Sequence, residues 1–557
     1  MTQAHKPSLP GGWSREKIGQ LAQIVRGVSF PKTAKVNSAR GGYIPCLRTA
    51  NVQQQVDWND LWYIPQEYVK RDEQWLRQLD ILISTANSLE LVGKAAQVKQ
   101  LAFSATLGAF ISLIRAAPGL NRRYLYFHLC SPETRSQMRR QASTTTNISN
   151  ISTRKLADID LAVAPAAEQQ RIVAKIEELF SQLDAGVAAL EKAKAQLQRY
   201  RQAVLKAAMS GELTREWREA HKHELEPASA LLEHILQERR ARWEAQQLEK
   251  MKAKGGVPRH DKWKEKYKEP WRPPAHELPP VAAGWTWTSF QELAQATPHA
   301  LKAGPFGSSL KKEYYVPSGY KIYGQEQVIR GDPFYGDYYV DEDRYRRLRP
   351  CAVKPGDVLV SLVGTIGKVL ILPDDIQPGI INPRLVKLTL DKRIVRPRYV
   401  EAYLQSASVR QYFSLSSHGG TMDILNLTIL KALPVALPPL EEQDAILGEV
   451  DRRMSIADQM DAGVEDDLVR SARLRQSILK RAFEGNLVPQ DPTDEPASLL
   501  LERIKAEKAE RETQAKRKRR RPKKNEPDQP TLFWKKDLHA QRAQPTRHHT
   551  QSTMHPG

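Results

Sequence analysis

The residues able to do chemistry in this chain are few and scattered. Gly364, Gly367 and Lys368, in GTIGK, come nearest to a phosphate-binding loop. They lack the GxxxxGK[ST] spacing and the hydroxyl that would meet Mg²⁺, so they read as a tight turn between strands. Asn382-Pro383-Arg384-Leu385 falls one proline and one aromatic short of the NPP[YF] signature, in which the aromatic stacks on an extruded adenine. It too reads as structural. No GxGxxG opens a helix after a strand. His221 and His223 lack HExxH spacing, and His418, in SSHGGTMD, sits in a glycine turn. The three cysteines, Cys46, Cys130 and Cys351, form no CxxC pair. That fits a reducing cytosol and argues against a disulfide framework or a zinc site. No catalytic centre and no metal site is legible.

What is legible is charge. The 557 residues hold 85 Lys plus Arg against 64 Asp plus Glu, a net charge of +21. An excess of this size points to a polyanion partner, most often nucleic acid. Part of it sits in residues 512–557, where Lys516–Arg521, Lys523 and Lys524 read as a disordered basic tail with at most nonspecific phosphate attraction. The N-terminus, MTQAHKPSLPGGW, has no apolar core and no 18-residue apolar run follows, so a cytoplasmic protein that spans no membrane is expected.

The elements that must position any binding residues come in duplicate. Residues 166–213 and 440–487 align without a gap: Gln169 with Gln443, Gln202 with Gln476, Gly211 with Gly485, each pair 274 positions apart (443 − 169, 476 − 202, 485 − 211). Each copy reads as one long helix. Ile176, Leu183, Leu190, Leu197 and Val204 recur every seven residues, and Ile172, Leu179, Gly186, Ala193, Tyr200 and Ala207 form the interleaved row. Ile446, Val450, Ala457, Val464, Ser471 and Ile478 keep a weaker version of the same seam. Pro165 and Pro439 precede the helices, and Gly211 and Gly485 stand where C-terminal caps belong. About 45 residues at 1.5 Å give rods of roughly 65–70 Å. One chain with two matched seams holds its own partner, so the helices are expected to pack on each other.

The repeat extends further. Trp13 in LPGGW is echoed by Trp285 in AAGW, LDILIS at 79–84 by GDVLVS at 356–361, and EPASALLEHILQERR at 226–240 by EPASLLLERIKAEKAER at 495–511. The last pair reads as amphipathic helices continuing outward. Before each long helix lie about 150 residues of short β-rich runs, such as Tyr43–Leu47, Ala109–Arg115, Tyr320–Tyr323 and Leu385–Leu390, with helices from Arg123 and over Arg398–Gln411. The architecture expected is mixed α/β (α+β): two tandem globular heads, each followed by a long helix, the helices packed as an antiparallel coiled-coil spacer. The divisions are 1–165 (first head), 166–225 (spacer helix), 226–277 (helix and basic linker), 278–439 (second head), 440–511 (second spacer repeat) and 512–557 (tail). In the linker, Lys262–Lys268 interleave with Trp263, Tyr267 and Trp271, which suits either contact with DNA backbone or a linker lying on the spine. The heads differ far more than the helices do: one shared job for the helices, two targets for the heads.

This layout resembles the DNA-specificity subunit of type I restriction–modification systems. The residues carrying the resemblance are LPGGW and AAGW, LDILIS and GDVLVS, APAAEQQRI and PPLEEQDAI at the helix entries, RQAVLKAAMSGEL and RQSILKRAFEGNL at the exits, KWKEKYKEPW, and EPASLLLERIKAEKAE, over about residues 9–511. The resemblance implies that the heads are target-recognition domains, each reading half of a split, asymmetric sequence in double-stranded DNA. It implies a noncatalytic subunit that binds no cofactor. Two modification subunits would methylate adenine with S-adenosylmethionine, and restriction subunits would add ATP- and Mg-dependent translocation and cleavage. Base edges are read in the major groove by polar side chains. The candidates are Arg48, Asn51, Asn87, Ser143, Thr144, Thr145 and Asn147 in the first head, and Lys311, Gln325, Gln327, Ser417, His418 and Thr421 in the second.

Two other classes compete. A structural coiled-coil scaffold with nonspecific basic DNA binding would need no diverged polar heads. A self-contained methyltransferase would need the missing cofactor and NPP[YF] motifs. Under the leading reading, inserting four residues, about one helical turn, near Ala193 lengthens the spacer in the methylated motif and leaves both half-sites intact. Methylome sequencing of cells expressing the inserted chain checks this.

Overall fold

The computed structural model describes residues 8–145, 148–256, 260–362, 367–416 and 426–520. They belong to two compact units that cut across chain order: residues 1–177 with 478–557, and residues 178–477.

The two units build one topology from different residues. In the first, a four-stranded antiparallel sheet runs Ala22–Arg26, Ile111–Ala116, Ile81–Ser84, Ala95–Gln97. In the second the order is Leu301–Ala303, Leu385–Leu388, Val358–Ser361, Val369–Ile371. A three-stranded sheet accompanies each, centred on Tyr43–Leu47 or Tyr320–Tyr323, with one antiparallel and one parallel neighbour. The inner strands Ile81–Ser84 and Val358–Ser361 are buried at every residue, which explains their unbroken apolar sequence. The aspartate before each is buried as well. Asp80 accepts from Arg77 N (2.7 Å) and Arg115 Nη2 (2.7 Å), and Asp357 from Lys354 N (2.8 Å) and Thr389 Oγ1 (2.5 Å).

Each expected head helix is broken in two. The first head has Arg122–Cys130 and Pro132–Gln141, because Ser131 accepts from Thr134 N and Pro132 cannot continue a helical ladder. The second has Pro397–Leu404 and Ala407–Ser416, where Ser406 Oγ accepts from Val409 N (3.4 Å).

The duplicated long helices span Ala166–Met209 and Leu440–Phe483. Their entries carry the same buried polar assembly. The indole of Trp13 donates to Glu168 Oε2 (2.9 Å), and that of Trp285 to Glu442 Oε2 (2.8 Å). Gln169 donates to Ala164 O (2.8 Å) and accepts from Asn121 N (3.1 Å). Gln443 donates to Pro438 O (3.1 Å) and Ile394 O (3.0 Å) and accepts from Arg396 N (2.8 Å). The Glu-Gln shared by both copies therefore ties the head's opening tryptophan and the Asn121 or Ile394 segment to the start of each long helix. At the exits Gly211 and Gly485 both have φ +76°, a conformation that costs glycine nothing.

Within the second unit the long helices exchange ion pairs. Asp184 pairs with Arg475, Lys194 with Glu465, and Arg201 with Asp458 (2.7 Å) and Asp461 (3.1 Å). Residue numbers rise along one helix as they fall along the other. Leu197, Val204, Ile446, Val450 and Ala457 are buried there, whereas Leu179, Leu183, Leu190 and Val464 are half-buried. Tyr200, placed in the seam by its spacing, is exposed (41%). Ile172, Ile176 and Ile478 are buried in the first unit.

The helices after the exits do not continue outward. Their apolar faces turn back onto the heads. Ala497, Leu500, Leu501 and Ile504 complete the core containing Ile18, Leu21 and Ile81. Ala228, Leu232 and Ile235 do the same beside Phe290 and Leu293. Lys508 Nζ meets Gly19 O (2.9 Å) where Arg239 Nη1 meets Gln291 O (3.0 Å). The linker lies on helix Ala228–Ala253: the rings of Trp263 and Tyr267 sit 6.1 Å and 5.3 Å from Trp243.

His128 gives the first unit a pH dependence. Its ring is buried, bonded to Thr134 Oγ1 (2.9 Å) and accepting from Ala162 N (3.1 Å). Burial pushes its pKa down to about 4. The unfolded chain takes up that proton near pH 6.5, so protonation favours unfolding between the two values. Stability should fall by roughly 3 kcal/mol as pH drops from about 6.5 to about 4, and His128→Gln should flatten that slope. Urea unfolding across this range measures both.

Candidate nucleic-acid interface

In the first head a short three-stranded sheet gathers four of the seven candidates. Ser143–Thr145 pairs with Ile148–Asn150, which pairs with Ala86–Asn87. Ser143, Thr144 and Thr145 are exposed, and Asn87 is half-buried. Thr144 Oγ1 bonds Ser149 Oγ (2.9 Å) and Asn87 Nδ2 donates to Ser84 Oγ (3.3 Å), so these side chains are aligned by their neighbours. Asn147 lies outside the described residues.

Aromatic and basic residues also interleave around the Tyr43–Leu47 strand of the same head. Lys35 Nζ lies 3.6 Å from the centroid of Trp62, Arg48 sits 5.3 Å from it, and Arg40 stacks 3.8 Å over Tyr43. Such cation–π pairs hold guanidinium and ammonium groups at a surface without neutralising them. Arg48 is partly committed, since it also pairs with Asp60.

Two candidates are spent inside the fold. Asn51 is 2% exposed: its Oδ1 accepts from Arg48 N (2.8 Å) and its Nδ2 donates to Asp57 O (3.0 Å) and Asn59 O (2.9 Å). Gln327, also 2% exposed, accepts from Gly324 N (2.9 Å) and donates to Ile322 O (3.3 Å) and Tyr335 O (2.9 Å). Both brace the turn after the strand at the same place in the two heads, and neither has a polar atom left for a base. Of the others in the second head, Gln325 Nε2 donates to Ser361 Oγ (3.0 Å), and Lys311 is exposed beside Glu313 (3.4 Å). Ser417, His418 and Thr421 lie outside the described residues.

The chemistry-bearing types resolve into structure. Asn382 Oδ1 accepts from Arg384 N (2.9 Å) and Leu385 is buried, so Asn382–Leu385 is a self-capped turn. Gly367 has φ +77°, and 363–366 lie outside the described residues. Burial pushes the Cys46 thiol up to about 12, and Cys130 and Cys351 in the same direction, which disqualifies them as nucleophiles. His221 stacks on Trp217 (4.4 Å) and bonds its carbonyl (2.7 Å). Among the described residues no cluster of His, Cys, Asp and Glu could hold a metal ion, and no helix is long and apolar enough to cross a membrane.

The polar lock at the helix entries is hidden in the sequence: Trp13, Glu168, Trp285 and Glu442 are repeated letters, but nothing in one sequence says that they bond to each other. Phe110, 63% exposed beside the three-stranded sheet, is likewise unmarked in the sequence.

The architecture is that of a duplicated pair of α/β heads on long helices, the first of its two units drawn from both ends of the chain. A solved chain from a study of complex assembly and conformational transition of the type I R-M system shares this fold, with a TM-score of 0.55 at 16% identity over 86% of this chain and 100% of that one. The type I restriction modification DNA specificity domain matches residues 10–198 and again 310–454, and the chain belongs to that family. It is 25% identical to the type I restriction enzyme StySPI specificity subunit of Salmonella potsdam, over 91% of this chain and 97% of that one. It is 26% identical to the EcoKI specificity subunit of Escherichia coli (strain K12), over 90% and 96%.

The buried amides lead to a contrast in stability. Asn51→Ala and Gln327→Ala should each cost about 1–3 kcal/mol, because each strands buried backbone groups. Lys311→Ala should stay within about 0.5 kcal/mol. Chemical unfolding of the three variants checks the ranking.

Proposed function

We propose that this chain is the noncatalytic DNA-specificity subunit of a type I restriction–modification complex. Each head reads one half of a bipartite, asymmetric site. The observation that carries the reading is the duplication itself: one head topology built twice, with different side chains at its surface, on helix entries that share a buried Trp–Glu bond. Asn87, Ser143, Thr144, Thr145 and Arg48 in the first head, and Lys311 and Gln325 in the second, are proposed to face DNA, with Lys and Arg also fixing register on phosphates.

The long helices are proposed to pack as an antiparallel coiled-coil spacer. The Asp184–Arg475, Lys194–Glu465 and Arg201–Asp458 pairs, with the buried Leu197, Val204, Ile446 and Val450, support that reading. The helix faces outside the seam would bind two modification subunits, which use S-adenosylmethionine, while restriction subunits would bring ATP and Mg. The complex would work on DNA in the cytoplasm. This chain's own task is to bind, to hold two half-sites at one spacing, and to present an adenine.

The test is methylome sequencing of cells expressing the modification subunit with and without this chain. A split motif carrying methyladenine on both strands, lost when this chain is omitted, is the expected result. Methylation that persists without it would place specificity elsewhere.

A further inference from the structure

The duplication allows positions in the two heads to be compared one to one, and two pairs of positions behave differently. The first pair is Lys94 and Lys368. Lys94 O accepts from Ser84 N (2.9 Å) and Lys368 O from Ser361 N (2.9 Å), so both lysines sit in the same place beside the inner strand of their sheet. Both reach across to the residue two positions beyond the Asn51 or Gln327 brace. Lys94 Nζ meets Gln53 Oε1, and Lys368 Nζ meets Ile329 O (3.3 Å). Residue type, position and reach are all retained.

The second pair is Phe110 and Arg384. The Phe110 carbonyl accepts from Thr85 N (2.9 Å), and the Arg384 carbonyl from Leu362 N (3.0 Å). Each therefore precedes the strand beside Ile81–Ser84 or Val358–Ser361 in the same turn. Phe110 is 63% exposed and also accepts from Ala86 N (3.3 Å), one residue from Asn87. Arg384 is exposed, and its guanidinium makes no hydrogen bond or ion pair among the described residues. Its backbone is held by Asn382, so the side chain stands on a fixed base. Here position is retained and chemistry is not.

A duplicated DNA reader must keep what touches the backbone, because phosphates are alike under every sequence, and change what touches bases. Resting on the function proposed above, we infer that Phe110 and Arg384 are the equivalent base-reading positions of the two heads, and that Lys94 and Lys368 are their shared phosphate contacts. The fork of Arg384 matches the O6 and N7 acceptors of guanine, and the ring of Phe110 matches the methyl group of thymine. The first half-site thus contains a thymine read by Phe110, and the second a guanine read by Arg384.

The test pairs methylome sequencing with binding of the complex of this chain and its modification subunit to labelled duplexes. Arg384→Ala should degrade preference at one guanine of one half-site by on the order of ten- to a hundred-fold, leaving the other half-site unchanged. Arg384→Lys, which keeps the charge but not the fork, should lose the same preference. Phe110→Ala should relax one position of the opposite half-site. Lys94→Ala or Lys368→Ala should weaken binding to every duplex alike and lower the slope of log affinity against log salt by roughly one. Arg384 variants that keep both half-sites stringent, or that lose specific and unrelated duplexes in parallel, would overturn the assignment, as would a motif changed by either lysine variant. If the wild-type chain directs no methylation, the proposed function falls with it; if the wild-type motif is split and only these variants fail to alter it, this inference alone falls.

Discussion

Everything in each unit hangs on a buried carboxylate at the start of a long helix. Glu442 is fully buried and accepts from the Trp285 indole (2.8 Å), Thr214 Oγ1 (2.7 Å) and Arg218 Nη1 (2.6 Å). A charge taken from water to that depth is tolerable only with such a set of partners, and removing one leaves the remainder uncompensated. It also sits in the first turn, where backbone N–H groups favour an anion. The carboxylate therefore dictates where the head's opening tryptophan, the exit turn after Met209 and the helix entry must meet. Glu168 does the same work with less. It keeps the Trp13 bond, but its Oε1 has no partner among the described residues, and burial, the largest influence on it, leaves its pKa raised. Val488 and Pro492 stand where the second copy of the pattern would need Thr214 and Arg218. Arg171, paired with Asp494 (2.6 Å), is the nearby basic group instead.

With orientation fixed at the helix entries, the heads are free to vary in their turns. The inner strands and their buried aspartates hold the sheets, and the amide braces at Asn51 and Gln327 hold the turn after the central strand. Surface residues between those fixed points can then change without disturbing the core, since substitutions there touch few buried groups. This is how a scaffold can be duplicated while the surfaces of its two copies diverge.

Much of this was legible in the sequence, and the boundary is physical. The long helices, their caps at Gly211 and Gly485, and strands such as Tyr43–Leu47 and Tyr320–Tyr323 follow from periodicity and turn residues, which are local. The helix break at Ser131 was signalled by that capping residue and Pro132, and the one at Ser406 only by its capping residue. Whether a polar residue faces solvent or braces a turn is a tertiary matter: Asn51 and Asn87 look alike in sequence, yet one is locked into a turn and the other stands at a sheet edge. The direction of the helices following the exits was equally hidden, because an amphipathic face does not say which surface will cover it.

The first unit is closed by residues from the far end of the chain: Ala497, Leu500, Leu501 and Ile504 fill its core, and Phe483 packs 5.3 Å from Tyr124. The second unit is drawn from one continuous stretch, 178–477. Synthesis proceeds from the N-terminus at about 5–20 residues per second. The head made first must therefore wait, with part of its apolar core uncovered, while the head made second already has every residue it needs. Birth order and completion order are reversed, and the interval, some tens of seconds at those rates, is when this protein depends most on being shielded from aggregation.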